Sequence, residues 1–108
     1  MARADLQTLR LEKQFEEVNL DLSSAVANVL TQAVELETVL LLNQEQIESA
    51  RKKTQEELKL YNQGRGELTF VIQSRDSEQA AKLTYAANAL TYHKLVLQYR
   101  ALMDQLHE

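Results

Sequence analysis

The stretch YNQGRGE, residues 61–67, contains the only two glycines of this 108-residue chain, Gly64 and Gly66. The chain has no proline, so no other position carries a strong helix breaker. The residues on either side are rich in Ala, Leu, Glu, Gln and Lys, which are good helix formers. Apolar and polar residues do not alternate over a useful length, so strands are not expected. The sequence therefore predicts two long helices, about residues 2–62 and 68–106.

A short connection between two long helices makes an antiparallel hairpin, and its tip is predicted at residues 62–68. Gly64 fits the position after a helix C-terminus, where the left-handed conformation is costly for a side chain. Glu67 or Thr69 can cap the N-terminus of the second helix. The predicted fold class is all-α, a single antiparallel coiled-coil hairpin that covers residues 1–108.

The predicted first helix carries two apolar stripes at helical spacing, and it is longer than the second helix by roughly 20 residues at 1.5 Å per residue. A two-stranded coiled coil needs only one narrow stripe, so the wider surface indicates at least two neighbouring helices. Partner helices from outside the chain are therefore expected, and with them a longer parent protein or a second copy. The first stripe comprises Leu11, Phe15, Val18, Leu22, Ala25, Val29, Leu36, Leu40 and Ile47, and the second comprises Leu20, Ala27, Leu30, Val34 and Leu41.

The predicted second helix repeats tyrosine every seven residues, at Tyr85, Tyr92 and Tyr99. Residues seven apart lie on one side of a helix, and a tyrosine hydroxyl needs a partner or water. These three tyrosines are therefore predicted to line a half-hydrated interface between helices. A separate apolar stripe of the same helix comprises Leu68, Ile72, Gln79, Leu83, Ala86, Leu90 and Leu97.

Composition and charge disfavour several classes of function. The chain has 12 Lys and Arg against 16 Asp and Glu, a formal net charge of −4, which argues against binding to nucleic acid. With no cysteine the chain has no thiol catalysis and no cysteine-ligated zinc, and two histidines cannot build a His-rich metal site. A two-helix hairpin also has little concavity for a catalytic site. No catalytic residue, cofactor or metal is predicted, and the chain is not expected to be an enzyme.

No segment is expected to enter a membrane. The longest uncharged run lies between Asp21 and Glu35 and includes polar residues, whereas a spanning helix needs about 20 mostly apolar residues. Near the N-terminus, Arg3, Asp5 and Arg10 stand where a secretory signal would be apolar.

The region around the glycines has a recognisable order of motifs. A long helix ends in an aromatic-x-x-Gly turn, a short apolar cluster follows, and Ala-rich heptads come next. The residues that carry this order are Tyr61, Gly64, Leu68, Val71, Ile72, Arg75, Asp76, Ala80, Ala81, Leu83, Ala86, Leu90, Tyr92 and Leu95. In this order the sequence resembles the TolC-like outer-membrane efflux channel family, and the Glu/Gln/Ala/Leu pattern upstream extends the resemblance over nearly the whole chain.

The resemblance implies a trimeric parent channel whose helices form a hollow α-barrel in the periplasm. This chain would be a soluble periplasmic hairpin of an outer-membrane protein, part of the channel wall, and its tip would dock a periplasmic adaptor protein. The implied docking residues are Tyr61, Gly64, Arg65, Gly66 and Glu67 at the tip, with Leu68, Val71 and Ile72 as an apolar groove just inside it. Two positions that are acidic in the best-known member are Phe70 and Gln73 here, so a ring of carboxylates is not implied.

Two other interaction roles stay open from the sequence. A generic coiled-coil scaffold would use the same hairpin to hold partners, and its tip residues would be replaceable. The hairpin of an adaptor protein is the other alternative, although such tips usually carry an Arg-Leu-Ser-type signature, whereas residues 64–66 are Gly-Arg-Gly.

Overall fold

The computed structural model describes residues 2–107, with side chains described for residues 6–106. Within that part of the chain there are two helices and no strand: α1 spans Ala2–Asn62 and α2 spans Leu68–His107. The predicted all-α helical hairpin is therefore confirmed, with helix boundaries that differ from the prediction by one residue at the end of α2.

The chain divides into two compact units, to each of which both helices contribute. We call Val34–His93, which contains the turn, the hairpin unit. We call Met1–Ala33 together with Lys94–Glu108 the terminal unit. The sequence pattern predicts a single hairpin over residues 1–108 and does not indicate such a division.

α1 ends in a Schellman motif, a helix C-terminus closed by two specific backbone hydrogen bonds. The Gly64 N–H donates to the carbonyl of Tyr61 at 3.0 Å, and the Arg65 N–H donates to the carbonyl of Leu60 at 2.8 Å. Gly64 has a φ of +71°, the left-handed conformation that this motif requires and that glycine adopts at least cost. The left-handed conformation predicted for Gly64 is therefore confirmed.

The turn then folds tightly back over the last turn of α1. The Gly66 N–H donates to the carbonyl of Leu60 at 3.1 Å, and a Cβ added to Gly66 would lie 3.1 Å from the Cβ of Leu60. Gly66 is therefore needed for close approach rather than for an unusual φ. α2 begins directly after Glu67, whose carbonyl accepts the N–H of Phe70 at 3.1 Å. Glu67 thus occupies the N-cap position, and Thr69 lies inside the helix.

In the hairpin unit the two helices meet along a seam whose residues follow alternating three- and four-residue steps, the spacing of a coiled coil. Every seam residue is buried or half-buried. The seam residues are Leu36, Leu40, Asn43, Ile47, Ala50, Thr54 and Glu57 on α1, and Val71, Ser74, Glu78, Ala81, Tyr85, Asn88 and Tyr92 on α2. Most of these positions are polar or small, so the helices of this unit bury little apolar surface against each other.

In the terminal unit the same steps continue through half-buried or buried residues: Leu22, Val26, Val29 and Ala33 on α1, and Leu95, Tyr99, Leu102 and Leu106 on α2. Every described side chain from Leu6 to Asp21 is exposed. Their large apolar members are 55–68% exposed: Leu6, Leu9, Leu11, Phe15, Val18 and Leu20. This agrees with the expected surplus of apolar residues at the start of α1.

One described helix, Leu6–Asn62, is long and apolar enough to cross a membrane when judged by length and composition. The core helix of a soluble protein and a signal sequence pass the same test, so the observation carries little weight by itself. The most apolar part of this helix, between Ala25 and Leu42, includes Glu35 and Glu37, which are costly to place in a bilayer. The absence of a membrane span stays a prediction.

Replacing Gly64 tests the turn. We expect Gly64→Val to lower the free energy of unfolding by about 1–2 kcal/mol, because a β-branched residue is strained at a φ of +71°. Asn tolerates the left-handed region, so Gly64→Asn is the matched control and should cost clearly less. Chemical denaturation followed by circular dichroism measures both variants. Equal stability of the Val and Asn variants would contradict the left-handed turn.

Candidate functional site

The five predicted tip residues come together in the turn. Tyr61, Gly64, Arg65 and Glu67 are exposed, and Gly66 is half-buried against the end of α1. Arg65 also borders a shallow surface of mixed charge on the α1 side of the tip, lined by Glu56, Lys59, Leu60, Gln63 and Arg65. The tip therefore presents an aromatic ring, a cation and a carboxylate on a backbone held by hydrogen bonds.

The predicted apolar groove inside the tip is only partly accessible. Leu68 and Ile72 are exposed, but Val71 is 3% exposed and lies in the seam. The reason is helical geometry, since Val71 points to α1 while its neighbours along the chain point away. Val71 therefore does not belong to an accessible docking surface in this structure. The ring of Phe70 is also exposed, on a different side of α2 from Leu68 and Ile72.

A groove of about 380 Å³ runs beside the seam close to the tip. It is lined by Lys53, Glu57, Phe70, Gln73, Ser74 and Ser77. Its groups can hydrogen-bond the polar side chains of a partner, but they include no His or Cys. Among the described residues no group of three or more His, Cys, Asp or Glu could hold a metal ion. Sequence reasoning missed this groove because its walls come from two helices, and their register is not readable from local pattern.

Three hydrogen bonds between side chains cross the seam of the hairpin unit, and we call the six residues that make them the seam ladder. Asn88 Nδ2 donates to Asn43 Oδ1 at 2.7 Å, Gln44 Nε2 donates to Tyr85 Oη at 3.2 Å, and Tyr92 Oη donates to Glu37 Oε1 at 2.6 Å. Asn43 is only 6% exposed. In the sequence the ladder leaves two visible signals, the seven-residue repeat of Tyr85 and Tyr92 and the break that Asn43 makes in the apolar stripe of α1.

The tyrosines predicted to line an interface occupy two units. Tyr85 and Tyr92 are half-buried in the seam of the hairpin unit, where their hydroxyls bond to Gln44 and Glu37. Tyr99 is half-buried on α2 in the terminal unit. The hydrogen bond to Glu37 raises the pKa of Tyr92 above its ordinary value, and desolvation and the charge of Glu37 add to that rise.

Arg51 begins a run of three cations, Arg51, Lys52 and Lys53, and its guanidinium is paired with a carboxylate on the same helix. Arg51 Nε donates to Glu48 Oε2 at 3.0 Å, and this hydrogen bond lowers the pKa of Glu48 and raises that of Arg51. Lys82 and Glu78 form an ion pair at 3.4 Å on α2. Because exposed ion pairs contribute little to stability, the pair of Arg51 and Glu48 is best described as part of a solvated surface, whereas Glu78 is half-buried in the seam.

Large apolar side chains also lie on helix faces away from the seam. On α2 they recur at seven-residue spacing as Leu83, Leu90 and Leu97, and on α1 they include Val34 and Leu41. They belong to the second α1 stripe and to the leucine stripe of α2, so the seam uses neither of these stripes. Contiguous apolar surface of this kind marks a site of interaction with other protein or lipid.

Comparison with protein-family models, with curated proteins and with solved structures gives no match for this chain. The resemblance to the TolC-like family therefore stays a prediction from the sequence. Function has to be argued from the geometry of the tip and of the exposed helix faces.

The Tyr92 hydroxyl offers a titration test of the seam. Because its pKa is raised in the folded state, its hydrogen bond stabilises the fold fully below the ordinary tyrosine pKa, and that contribution is lost as the pH rises through the folded pKa. Tyrosinate absorbance is titrated in the wild type and in Tyr92→Phe, and the difference between the two curves reports Tyr92 alone. We expect the midpoint of that difference curve to lie above about 10, the ordinary tyrosine pKa. Glu37→Gln should move that midpoint down. A midpoint that does not respond to Glu37→Gln would contradict the bond.

Proposed function

We propose that this chain is a periplasmic hairpin of an outer-membrane efflux or secretion channel, which forms part of the channel wall and docks a periplasmic adaptor at its tip. The observation that carries the proposal is the exposure of large apolar side chains on faces away from the seam. A hairpin without neighbours would be more stable if these side chains were buried. A wall built from many helices, in contrast, needs apolar residues on more than one side of each helix.

The leucine stripe of α2 supports a neighbour outside the hairpin. Leu83 and Leu90 are 70% and 58% exposed. Fully burying one leucine stabilises an assembly by about 1.5–3 kcal/mol, so a row of them at seven-residue spacing is a strong driving force for helix association. The exposed apolar residues at the start of α1 extend the same argument to the terminal unit. Self-association, as a trimer in the parent channel, follows from this proposal.

The tip supports docking because its backbone is closed by hydrogen bonds before any partner arrives. A preorganised turn loses little conformational entropy on binding. It presents Tyr61, Leu68 and Ile72 as apolar contacts and Arg65 and Glu67 as charges. This combination, on the turn that carries the resemblance to the TolC-like family, suits the α-hairpin tip of an adaptor protein. A generic scaffold would use the leucine faces but not these residues.

Self-association is tested by sedimentation equilibrium over a concentration series. We expect the wild-type chain to form dimers or trimers as its concentration rises, and Leu83→Gln with Leu90→Gln to weaken that association at least tenfold, because the apolar surface is lost. Thr84→Gln with Thr91→Gln is the matched control on neighbouring exposed positions. A wild-type chain that stays monomeric throughout, or a control as weak as the leucine variant, would contradict the channel-wall role.

Adaptor docking is tested with isolated α-hairpins of periplasmic adaptor proteins as probes. The chain has no cysteine, so each variant carries one reactive thiol. We expect R65C, armed with a thiol cross-linker, to capture an adaptor hairpin at least fivefold more than A87C, an exposed position away from the tip. Replacing Leu68 and Ile72 by Gln in the R65C background should reduce the capture. Equal capture by R65C and A87C would exclude tip docking and favour the generic scaffold.

A further inference from the structure

α2 has two different faces that could pack against α1 in the hairpin unit. The face in the seam contains Ala81, Tyr85, Asn88 and Tyr92, and the opposite face contains Leu83, Ala86 and Leu90. The leucine face has no hydrogen-bonding side chain among these residues, yet it is the one left exposed. Burial of apolar surface by itself therefore does not explain which way α2 is turned.

The seam ladder supplies the missing preference. All three of its hydrogen bonds need Tyr85, Asn88 and Tyr92 to face α1, because their partners lie on one side of that helix. Turning α2 by about half a revolution would break all three bonds together. Asn43 Nδ2 would keep its bond to Gln46 on the same helix, but Asn43 Oδ1 would lose the Asn88 donor inside the seam, and a buried polar atom without a partner is costly.

We propose that the seam ladder selects the face of α2 that packs on α1 and thereby keeps the leucine face outside the hairpin. A buried polar pair in a helical seam can specify one arrangement among several at some cost in stability. The ladder acts in this way because the competing arrangement makes none of its three hydrogen bonds between the helices. This inference does not depend on which partner the leucine face contacts.

The test removes the α1 half of the ladder and leaves both faces of α2 unchanged. The variant E37A/N43A/Q44A deletes all three α1 partners, and alanine preserves helix propensity. The matched control N28A/Q32A/E35A removes the same three residue types from exposed positions of α1. Circular dichroism reports helicity, and all chains are studied at a concentration at which sedimentation shows a monomer.

Two kinds of cysteine reporter read the orientation of α2. A81C places a thiol in the seam and A86C places one on the opposite face. A50C/A81C is the cross-link reporter. Residue 50 lies seven residues after Asn43 and residue 81 lies seven before Asn88, so the two positions oppose each other one heptad from that contact.

In the wild-type and control backgrounds we expect A86C to react with a thiol reagent at least tenfold faster than A81C, and A50C/A81C to form its disulfide. In E37A/N43A/Q44A we expect the ratio of rates to invert and the disulfide to be lost, with helicity retained. Adding L83A/L90A to that variant should restore the original ratio, because the competing face then loses its apolar surface.

Three results would overturn the proposal. The first is an unchanged ratio and an intact disulfide in E37A/N43A/Q44A, which would mean that packing alone orients α2. The second is loss of helicity with equal reactivity at both positions, which would mean that the ladder stabilises the hairpin without selecting a face. The third is an inverted ratio that L83A/L90A fails to reverse, which would mean that the leucine face is not the competitor.

Discussion

The hairpin unit depends on the reversal of the chain at Gly64. Its left-handed φ lets the Arg65 N–H reach the carbonyl of Leu60, which closes α1 and leaves only a few residues before α2 begins. So short a connection fixes the register of the two helices, that is, which residue of α2 lies opposite each residue of α1. Asn43 therefore meets Asn88 although 45 positions separate them along the chain.

Given that register, the distribution of apolar residues is unusual for a hairpin that is stable by itself. Buried asparagine, threonine and serine share the seam with the half-buried Leu36 and Leu40, while other leucines, such as Leu83 and Leu90, lie outside it. Among the described side chains only Val71 and Leu95 are apolar and buried. Small domains need most of their apolar surface inside to offset the entropy of folding. In the proposed channel wall an assembly covers the outward leucines, and in the proposed role of the seam ladder the polar seam keeps them available.

Two backbone constraints shape the tip. Gly64 and Gly66 close the backbone for different reasons, one through its φ and the other through its close approach to Leu60. The turn connects α1 to α2 and exposes Arg65 and Glu67. Leu68 and Ile72 are exposed in the first turns of α2. Val71 lies between those two residues along the chain, but its side chain is buried in the seam close to the tip and is not available to a partner.

The sequence by itself determined the two helices, their ends and the turn, because helix formers, glycine and the lack of proline act over a few neighbouring residues. It also indicated more apolar helix faces than one hairpin can bury. It could not decide which face of each helix packs in the seam, since several stripes satisfy helical spacing equally well. Only the tertiary structure decided that the tyrosine and asparagine face of α2 enters the seam, that Val71 is buried, and that Lys53 and Phe70 border one groove. Those outcomes depend on register and rotation between helices, and distant hydrogen bonds such as that from Asn88 to Asn43 act only once the chain has turned back on itself.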